Sequence, residues 1–537
     1  MNGPATDRLD AWDATHGNRW AVIVAGRRRG TFRGVTFHDL RRRTDALAAG
    51  FRRLDMTDGR RVAMMVPPGR GMFETAYGLM KAGACPVLVD PGIGLKVVGT
   101  CLDESGVTAL VGTPEALAAR RVFRWVPTAD TVSAGPWSRR VPTLGSLALG
   151  PADGPTIAPA DPAAIVFTSG STGPPKGVLT THEMFDAQTR MIRDTYGIEP
   201  GVVNVATFAP FALIGPLLGM TTILPRMDFT KPGQVDPTRI VEAVQAFGAT
   251  MMFGSPALLD RLGRYGEASG ERLPSLRTVL SAGAPVRPAV QARMLAMLDA
   301  SAVIATPYGA TEALPVASIN SRELAGLTRT GICVGRPVDG VDVAVIPVSD
   351  APVASVEDTG QVPAGEIGEI VVQGPNVSPG YDARPEENTM ASVEWRGRRA
   401  HRMGDLGYLD DEGRLWFAGR KTHRIDLPDR MLATVPLEAI FDEHPGVARS
   451  ALVSVPSPGG PIPVVCVELE PGTTGTDELA AALLAGAAVH PEASTTGADR
   501  VTNVLFHSGF PTDIRHNSKI DRPALGVWAA QRLDKAT

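Results

Sequence analysis

The sequence predicts a multidomain α/β protein: a large N-terminal domain of stacked βα subdomains plus a distorted β-barrel, followed by a small mobile α+β C-terminal domain. Three observations carry this expectation. At 537 residues the chain exceeds what one hydrophobic core organises, so several folding units are needed. Up to residue 330, short β-branched apolar runs alternate with amphipathic helical stretches, the grammar of βαβ units with buried parallel strands. Beyond 330 the pattern changes to strands and turns.

In chain order, strands are expected at 62–66 and 86–90 on either side of a helix over 71–82, and at 110–112 after a helix over 95–104. An apolar run at 163–167 reads as a further strand. Strand 250–253 precedes a helix over 257–265, and strand 278–280 precedes one over 288–299. Runs at 342–346, 368–372 and 414–417 fit an antiparallel barrel or meander spanning 331–419, which closes the N-terminal domain 1–419. A hinge is placed near 419–422. The C-terminal domain, 420–537, has helices expected at 437–443 and 478–486 and strands at 451–455 and 464–468. The Ala- and Thr-rich stretch 485–500 reads as a mobile loop.

Bulk properties narrow the partners. A composition of 44% hydrophobic and 20% charged residues with a net charge of −4 gives no electrostatic reason to expect nucleic acid or an anionic membrane, so a small-molecule partner is expected. Cys85, Cys101, Cys333 and Cys466 are scattered, without the spacing of a structural zinc site. The N-terminus has no basic segment followed by an apolar one, and no apolar run reaches membrane-span length. These features lead to the expectation of a soluble, cytoplasmic protein.

The chemistry is concentrated in Thr168-Ser169-Gly170-Ser171-Thr172-Gly173-Pro174-Pro175-Lys176-Gly177, directly after the 163–167 run. Glycines let successive backbone N–H groups face one concavity and the hydroxyls add donors, a combination suited to polyphosphate oxygens. It is not a Walker P-loop, which needs Gly-Lys-Ser/Thr opening a helix; here Pro175 precedes Lys176 and Gly177 follows it. Four further motifs follow in order: Ser281-Ala282-Gly283-Ala284-Pro285; Tyr308-Gly309-Ala310-Thr311-Glu312; Gly404-Asp405-Leu406-Gly407-Tyr408 with Gly419-Arg420; and Asn517-Ser518-Lys519-Ile520-Asp521-Arg522. Each also has a bland reading: Tyr308 as a core aromatic, Asp405 as a turn residue, Glu312 as a helix N-terminal acid, Lys519 as a solvated lysine.

Together the five motifs resemble the adenylate-forming superfamily, whose members activate carboxylic acids as acyl-adenylates with ATP and Mg2+. The resemblance implies that Thr168, Ser169, Gly170, Ser171, Thr172, Gly173 and Lys176 hold the β- and γ-phosphates. It implies that Thr311 donates to the α-phosphate and Glu312 ligates magnesium, a hard cation suited to oxygen ligands. Tyr308 would face adenine opposite Gly283, Ala284 and Pro285, and Asp405 would accept from the ribose hydroxyls, with Arg420 nearby. Lys519 would be the mobile cation between substrate carboxylate and α-phosphate.

Departures select the branch. Acyl-CoA ligases usually carry a short Ile-Lys-x-x-Gly loop after the hinge; residues 424–436 here lack that glycine. Many also carry a histidine near the position of Leu213, whereas Phe208-Ala209-Pro210-Phe211-Ala212-Leu213-Ile214-Gly215, with Leu217, Leu218 and Met220, forms an apolar run that suits an alkyl chain or an ordinary buried helix. Local wording at 306–316, 420–424 and 514–520 looks like the olefin and nocardiolactone-type β-lactone synthetases. That resemblance implies a long-chain 2-alkyl-3-hydroxyalkanoic acid substrate, closure by its own β-hydroxyl, and neighbouring thiolase, dehydrogenase and β-lactone decarboxylase enzymes. The alternatives are a long-chain fatty acyl-CoA ligase, a fatty acyl-AMP ligase and a noncatalytic nucleotide-binding scaffold. His182, His423 and His516 are candidates by residue type for the base acting on the β-hydroxyl.

Overall fold

The structure is a computed structural model and describes residues 4–135, 141–148, 156–168, 174–327, 331–512 and 520–534. The chain forms two compact units. The first contains Met1–Ser321, Val338–Val341 and Gln373–Met390; the second contains Arg322–Pro337, Asp342–Val372 and Ala391–Thr537.

In the first unit, one sheet places strands in the order Ala313–Asn320, Val303–Ala310, Thr278–Leu280, Met251–Phe253, Val203–Ala206, Thr221–Leu224, Trp20–Ala25 and Phe32–Thr36. The strands from Val303–Ala310 through Trp20–Ala25 run parallel. Strands Ala313–Asn320 and Phe32–Thr36 pair antiparallel to their neighbours. A second sheet has the order Gly380–Tyr381, Lys176–Thr181, Pro162–Thr168, Cys85–Leu88, Arg61–Met65, Ala109–Gly112 and Asp130–Ser133, parallel from Pro162–Thr168 onward.

Buried strands require cover on both faces, and the intervening helices supply it. Helix Pro256–Ser269 starts where the Ser255 side chain accepts from the Leu258 N–H with proline at the first helical position, and it stops at Gly270 with φ 73°. It buries Leu258, Leu259 and Leu262 beside Val290 and Met294 of helix Pro288–Met297. At roughly 1.5–3 kcal/mol for each large side chain removed from water, such contacts hold the layers together.

The second unit contains an antiparallel array in which Gly368–Gln373 and Leu415–Arg420 flank Arg398–Leu409, and Ile332–Pro337 pairs with Leu415–Arg420. Its C-terminal part is a three-stranded sheet of Val447–Val455, Ile462–Leu469 and Asn503–Phe506. Period-two alternation is visible here. Leu452, Val465 and Val467 pack with helices Thr434–Asp442 and Asp477–Val489, while Ala451, Val453 and Cys466 pack with helix Arg522–Leu533.

One expectation is corrected. The stretch 485–500 is not a loop: helix Asp477–Val489 continues into it, helix Ala493–Thr496 follows, and a 3-10 turn covers Ala498–Arg500. The alanines that suggested a mobile loop are strong helix formers, and the Thr476 side chain caps the helix by accepting from the Leu479 N–H. Among the described residues, no helix is long and apolar enough to cross a membrane.

Candidate functional site

In the first unit the motif residues gather at strand ends. Thr168 closes strand Pro162–Thr168 and Lys176 opens Lys176–Thr181, and the two face each other in antiparallel register. They mark the base of the predicted phosphate loop; Ser169, Gly170, Ser171, Thr172 and Gly173 lie outside the described residues. Ser281 to Pro285 follow the C-terminal end of parallel strand Thr278–Leu280, the end at which open α/β sheets bind ligands. Gly283 has φ 94°, a conformation that disfavours other residues. Ser281 is 1% exposed, and its Oγ finds no hydrogen-bond partner among the described residues.

Tyr308 lies near the end of strand Val303–Ala310, where the strand emerges from burial, opposite Ala317. Since Ala310 pairs with Ala313, Thr311 and Glu312 form a two-residue hairpin turn. Glu312 is therefore on a hairpin tip and not at a helix N-terminus. Its carbonyl accepts from the Ser378 N–H (2.7 Å), and its Oε1 accepts from the Tyr381 hydroxyl (2.9 Å). The Lys176 ammonium sits 4.9 Å from the centroid of the same Tyr381 ring. Tyr381 was missed by sequence reasoning. It is separated from Glu312 by 69 positions, and Gly380-Tyr381 within Gly374 to Asp382 gives only a turn signal.

In the second unit Asp405 and Arg420 occupy neighbouring strands in direct register, and Arg420 Nη1 lies 3.0 Å from the buried Asp405 carboxylate. Asp405 is thus a strand residue. The glycine two positions on, Gly407, serves close packing, because a Cβ there would stand 2.5 Å from the Trp416 carbonyl oxygen. Beside this pair, Glu369 is buried between Arg402 (2.6 Å) and Lys421 (3.0 Å), and both cations also donate to the Ser349 carbonyl. The altered 424–436 segment forms a small hairpin of Ile425–Asp426 and Met431–Leu432. Arg430 donates to the Ser494 carbonyl (2.7 Å) and Asp429 pairs with Arg500, which fastens the hairpin tip to the 493–500 helical segment.

The histidines separate by environment. His182 opens helix His182–Tyr196, six residues along from Lys176, or about 20 Å at strand rise. Burial pushes its imidazole down to about 4 against a partial opposing effect of Asp161, and its Nδ1 has no hydrogen-bond partner among the described residues. His423 is likewise held near 4, by burial first and then by the positive charges of Arg522 and Arg420. His516 and Lys519 lie outside the described residues.

The donor set suits a nucleotide and a hard cation. Glu312 offers a carboxylate that accepts a hydrogen bond at Oε1, the Lys176 ammonium faces the ring of the same tyrosine that donates it, and Ser281 carries an unsatisfied buried hydroxyl. Among the described residues no cluster of three His, Cys, Asp or Glu side chains forms a metal centre.

Comparison with known proteins agrees with this chemistry. A family model described as AMP-binding enzyme matches residues 9–382. The chain is 44% identical over 517 residues to an olefin β-lactone synthetase of Xanthomonas campestris pv. campestris, covering 93% of this chain and 91% of that protein. It is 43% identical over 535 residues to an olefin β-lactone synthetase of Stenotrophomonas maltophilia, covering 95% of each. Among solved structures, an amide bond synthetase from Marinactinospora thermotolerans superposes with a TM-score of 0.80 at 25% identity, covering 98% of this chain and 99% of that one. The chain belongs to the AMP-binding, adenylate-forming enzyme family.

Proposed function

We propose that this enzyme converts a long-chain 2-alkyl-3-hydroxyalkanoic acid into its β-lactone in the cytoplasm, consuming ATP with magnesium. The observation that carries the reading is the 44% identity across 93% of the chain to a protein named olefin β-lactone synthetase. The lack of a glycine in residues 424–436 supports it against a CoA ligase, since backbone approach to a pantetheine arm is then obstructed.

A carboxylate oxygen bonds to the α-phosphorus of ATP, the α–β phosphoanhydride bond breaks, and pyrophosphate leaves. The substrate's β-hydroxyl oxygen then bonds to the acyl carbon and loses its proton, and AMP departs with the carboxylate-derived oxygen. Two anions meet in the first step, so charge must be offset. Lys176, with Thr168 and the 169–173 loop, is assigned to the β- and γ-phosphates. Thr311 is assigned to the α-phosphate, and Tyr308 with Gly283, Ala284 and Pro285 to adenine. Asp405 is assigned to the ribose hydroxyls, which a carboxylate receives well with two oxygens, and Arg420 orients it. Lys519, on the C-terminal lid 420–537, is assigned to the carboxylate and α-phosphate in the transition state. Magnesium, when bound, would neutralise phosphate charge, and Glu312 is the residue to hold it.

The second step needs orientation more than a strong catalyst. An internal nucleophile held in place can gain roughly 7–11 kcal/mol of barrier lowering in the best cases. The apolar segment containing helix Ala209–Ile214, with buried Leu213, Leu217 and Met220, is assigned to the alkyl chain and to water exclusion. A thiolase and a dehydrogenase would supply the branched 3-hydroxy acid, and a decarboxylase would consume the lactone. The test is a matched pair of acids with and without the β-hydroxyl. The hydroxy acid should turn over many equivalents of ATP, while the deoxy acid should stop near one adenylate per enzyme. Equal multiple turnover of both acids would refute intramolecular closure.

A further inference from the structure

The chain between Gln373 and Met390 belongs to the first compact unit although it lies within the strand-rich part of the sequence. It adds the two-residue strand Gly380–Tyr381 to the edge of Lys176–Thr181, pairing Gly380 with Leu179 and Tyr381 with Val178. The position is heavily determined. Asn388 accepts from the Tyr381 N–H (2.7 Å) and donates to the Tyr381 carbonyl (2.8 Å), which clamps both sides of one backbone residue. Gly380 has φ 146°, and a Cβ there would stand 2.5 Å from Asn388 Oδ1. Asp382 donates its N–H to the Gly177 carbonyl (2.7 Å), and its side chain pairs with Arg61 (2.7 Å). Ser378 donates its N–H to the Glu312 carbonyl (2.7 Å) and its hydroxyl to the Leu179 carbonyl (2.7 Å).

This short segment therefore ties the strand that carries Lys176 to the hairpin tip that carries Glu312, and Tyr381 touches both functional side chains. Its hydroxyl donates to Glu312 Oε1 (2.9 Å), and its ring face receives the Lys176 ammonium at 4.9 Å, inside the cation–π range. We propose that Tyr381 is a positioning residue for adenylation: its hydroxyl sets the Glu312 carboxylate for a divalent cation, and its ring holds the Lys176 ammonium for the phosphates. This rests on the assignment of Glu312 to magnesium and Lys176 to phosphate given above. A phenol suits both tasks, because it presents a hydrogen-bond donor to an anion at one end and a negative π-face to a cation at the side. Phenylalanine keeps only the second task and leucine neither, so the two contacts can be separated by substitution.

The experiment measures equilibrium binding of α,β-methylene-ATP by calorimetry, with and without Mg2+, alongside ATP–pyrophosphate exchange titrated with free Mg2+. Tyr381→Phe should leave metal-free nucleotide affinity within about twofold of the unchanged chain. It should raise the half-saturating Mg2+ concentration about tenfold, the scale of one hydrogen bond to a charged group. Tyr381→Leu should also weaken metal-free nucleotide binding, by about two- to fivefold for the lost cation–π contact. Asn388→Ala, which loosens the backbone and keeps the phenol, should move the Mg2+ dependence in the same direction. Glu312→Gln is the control for the underlying assignment. If Glu312→Gln shifts the Mg2+ dependence and Tyr381→Phe and Asn388→Ala do not, the positioning role of Tyr381 is wrong. If Glu312→Gln itself binds the magnesium nucleotide like the unchanged chain, the metal assignment beneath it is wrong.

Discussion

Acid should destabilise this protein through His182, and the size of the effect follows from its surroundings. The side chain is 2% exposed and burial holds its pKa near 4, whereas an unfolded histidine titrates near 6.5. Above about pH 6.5 both states are neutral and His182 contributes no pH dependence. Between about 6.5 and 4 the unfolded chain binds a proton that the folded chain refuses, so stability falls as pH falls, and it levels off below about 4. At about 1.4 kcal/mol per pH unit, that interval is worth on the order of 3 kcal/mol. His182→Leu removes the titration while keeping an apolar filling for the site. Urea unfolding at pH 7.5, 5.5 and 4.5 should show the unchanged chain losing about 2–3 kcal/mol more than the variant across this range. The variant should still make adenylate and lactone, because His182 stands about 20 Å along the strand from Lys176. Parallel pH profiles of the two proteins would refute the burial argument. Loss of lactone closure with adenylation intact would instead make His182 the base.

Glu369→Gln should destabilise the second unit by about 3–5 kcal/mol, since it strips Arg402 and Lys421 of their buried anion; a lowered urea midpoint of that unit's transition checks this. Gly419→Ala should be costly twice, because its φ is 122° and a Cβ would stand 2.3 Å from Thr434 Oγ1; pairing it with Thr434→Ala should recover the steric part only, as read in a double-mutant cycle of thermal stability. Lys519→Ala should slow adenylate formation in burst experiments by orders of magnitude while nucleotide affinity stays nearly unchanged, the pattern of a group that acts on the transition state.

Local pattern accounts for much of the fold. Helix Leu95–Glu104 and strand Thr278–Leu280 keep the bounds their periodicity predicts, because an amphipathic run and a short β-branched run each have one good way to bury apolar surface. Motif spacing likewise drew attention to Thr168 and Lys176, which the strand register sets opposite one another. Pattern failed where composition imitated a different state, as in the alanine-rich 485–500 stretch. It also could not reach Tyr381. Nothing local distinguishes that tyrosine, and its meaning arises only when a two-residue strand brings it against side chains remote in sequence.

Intramolecular closure differs from thioester formation in the acceptor that displaces AMP. The direct measurement is product analysis by mass spectrometry after incubating the protein with ATP, Mg2+ and a long-chain 2-alkyl-3-hydroxy acid, with and without CoA. Intramolecular closure should give one β-lactone, one AMP and one pyrophosphate per acid consumed, at the same rate in both mixtures. A CoA-dependent acyl thioester with no lactone would contradict it.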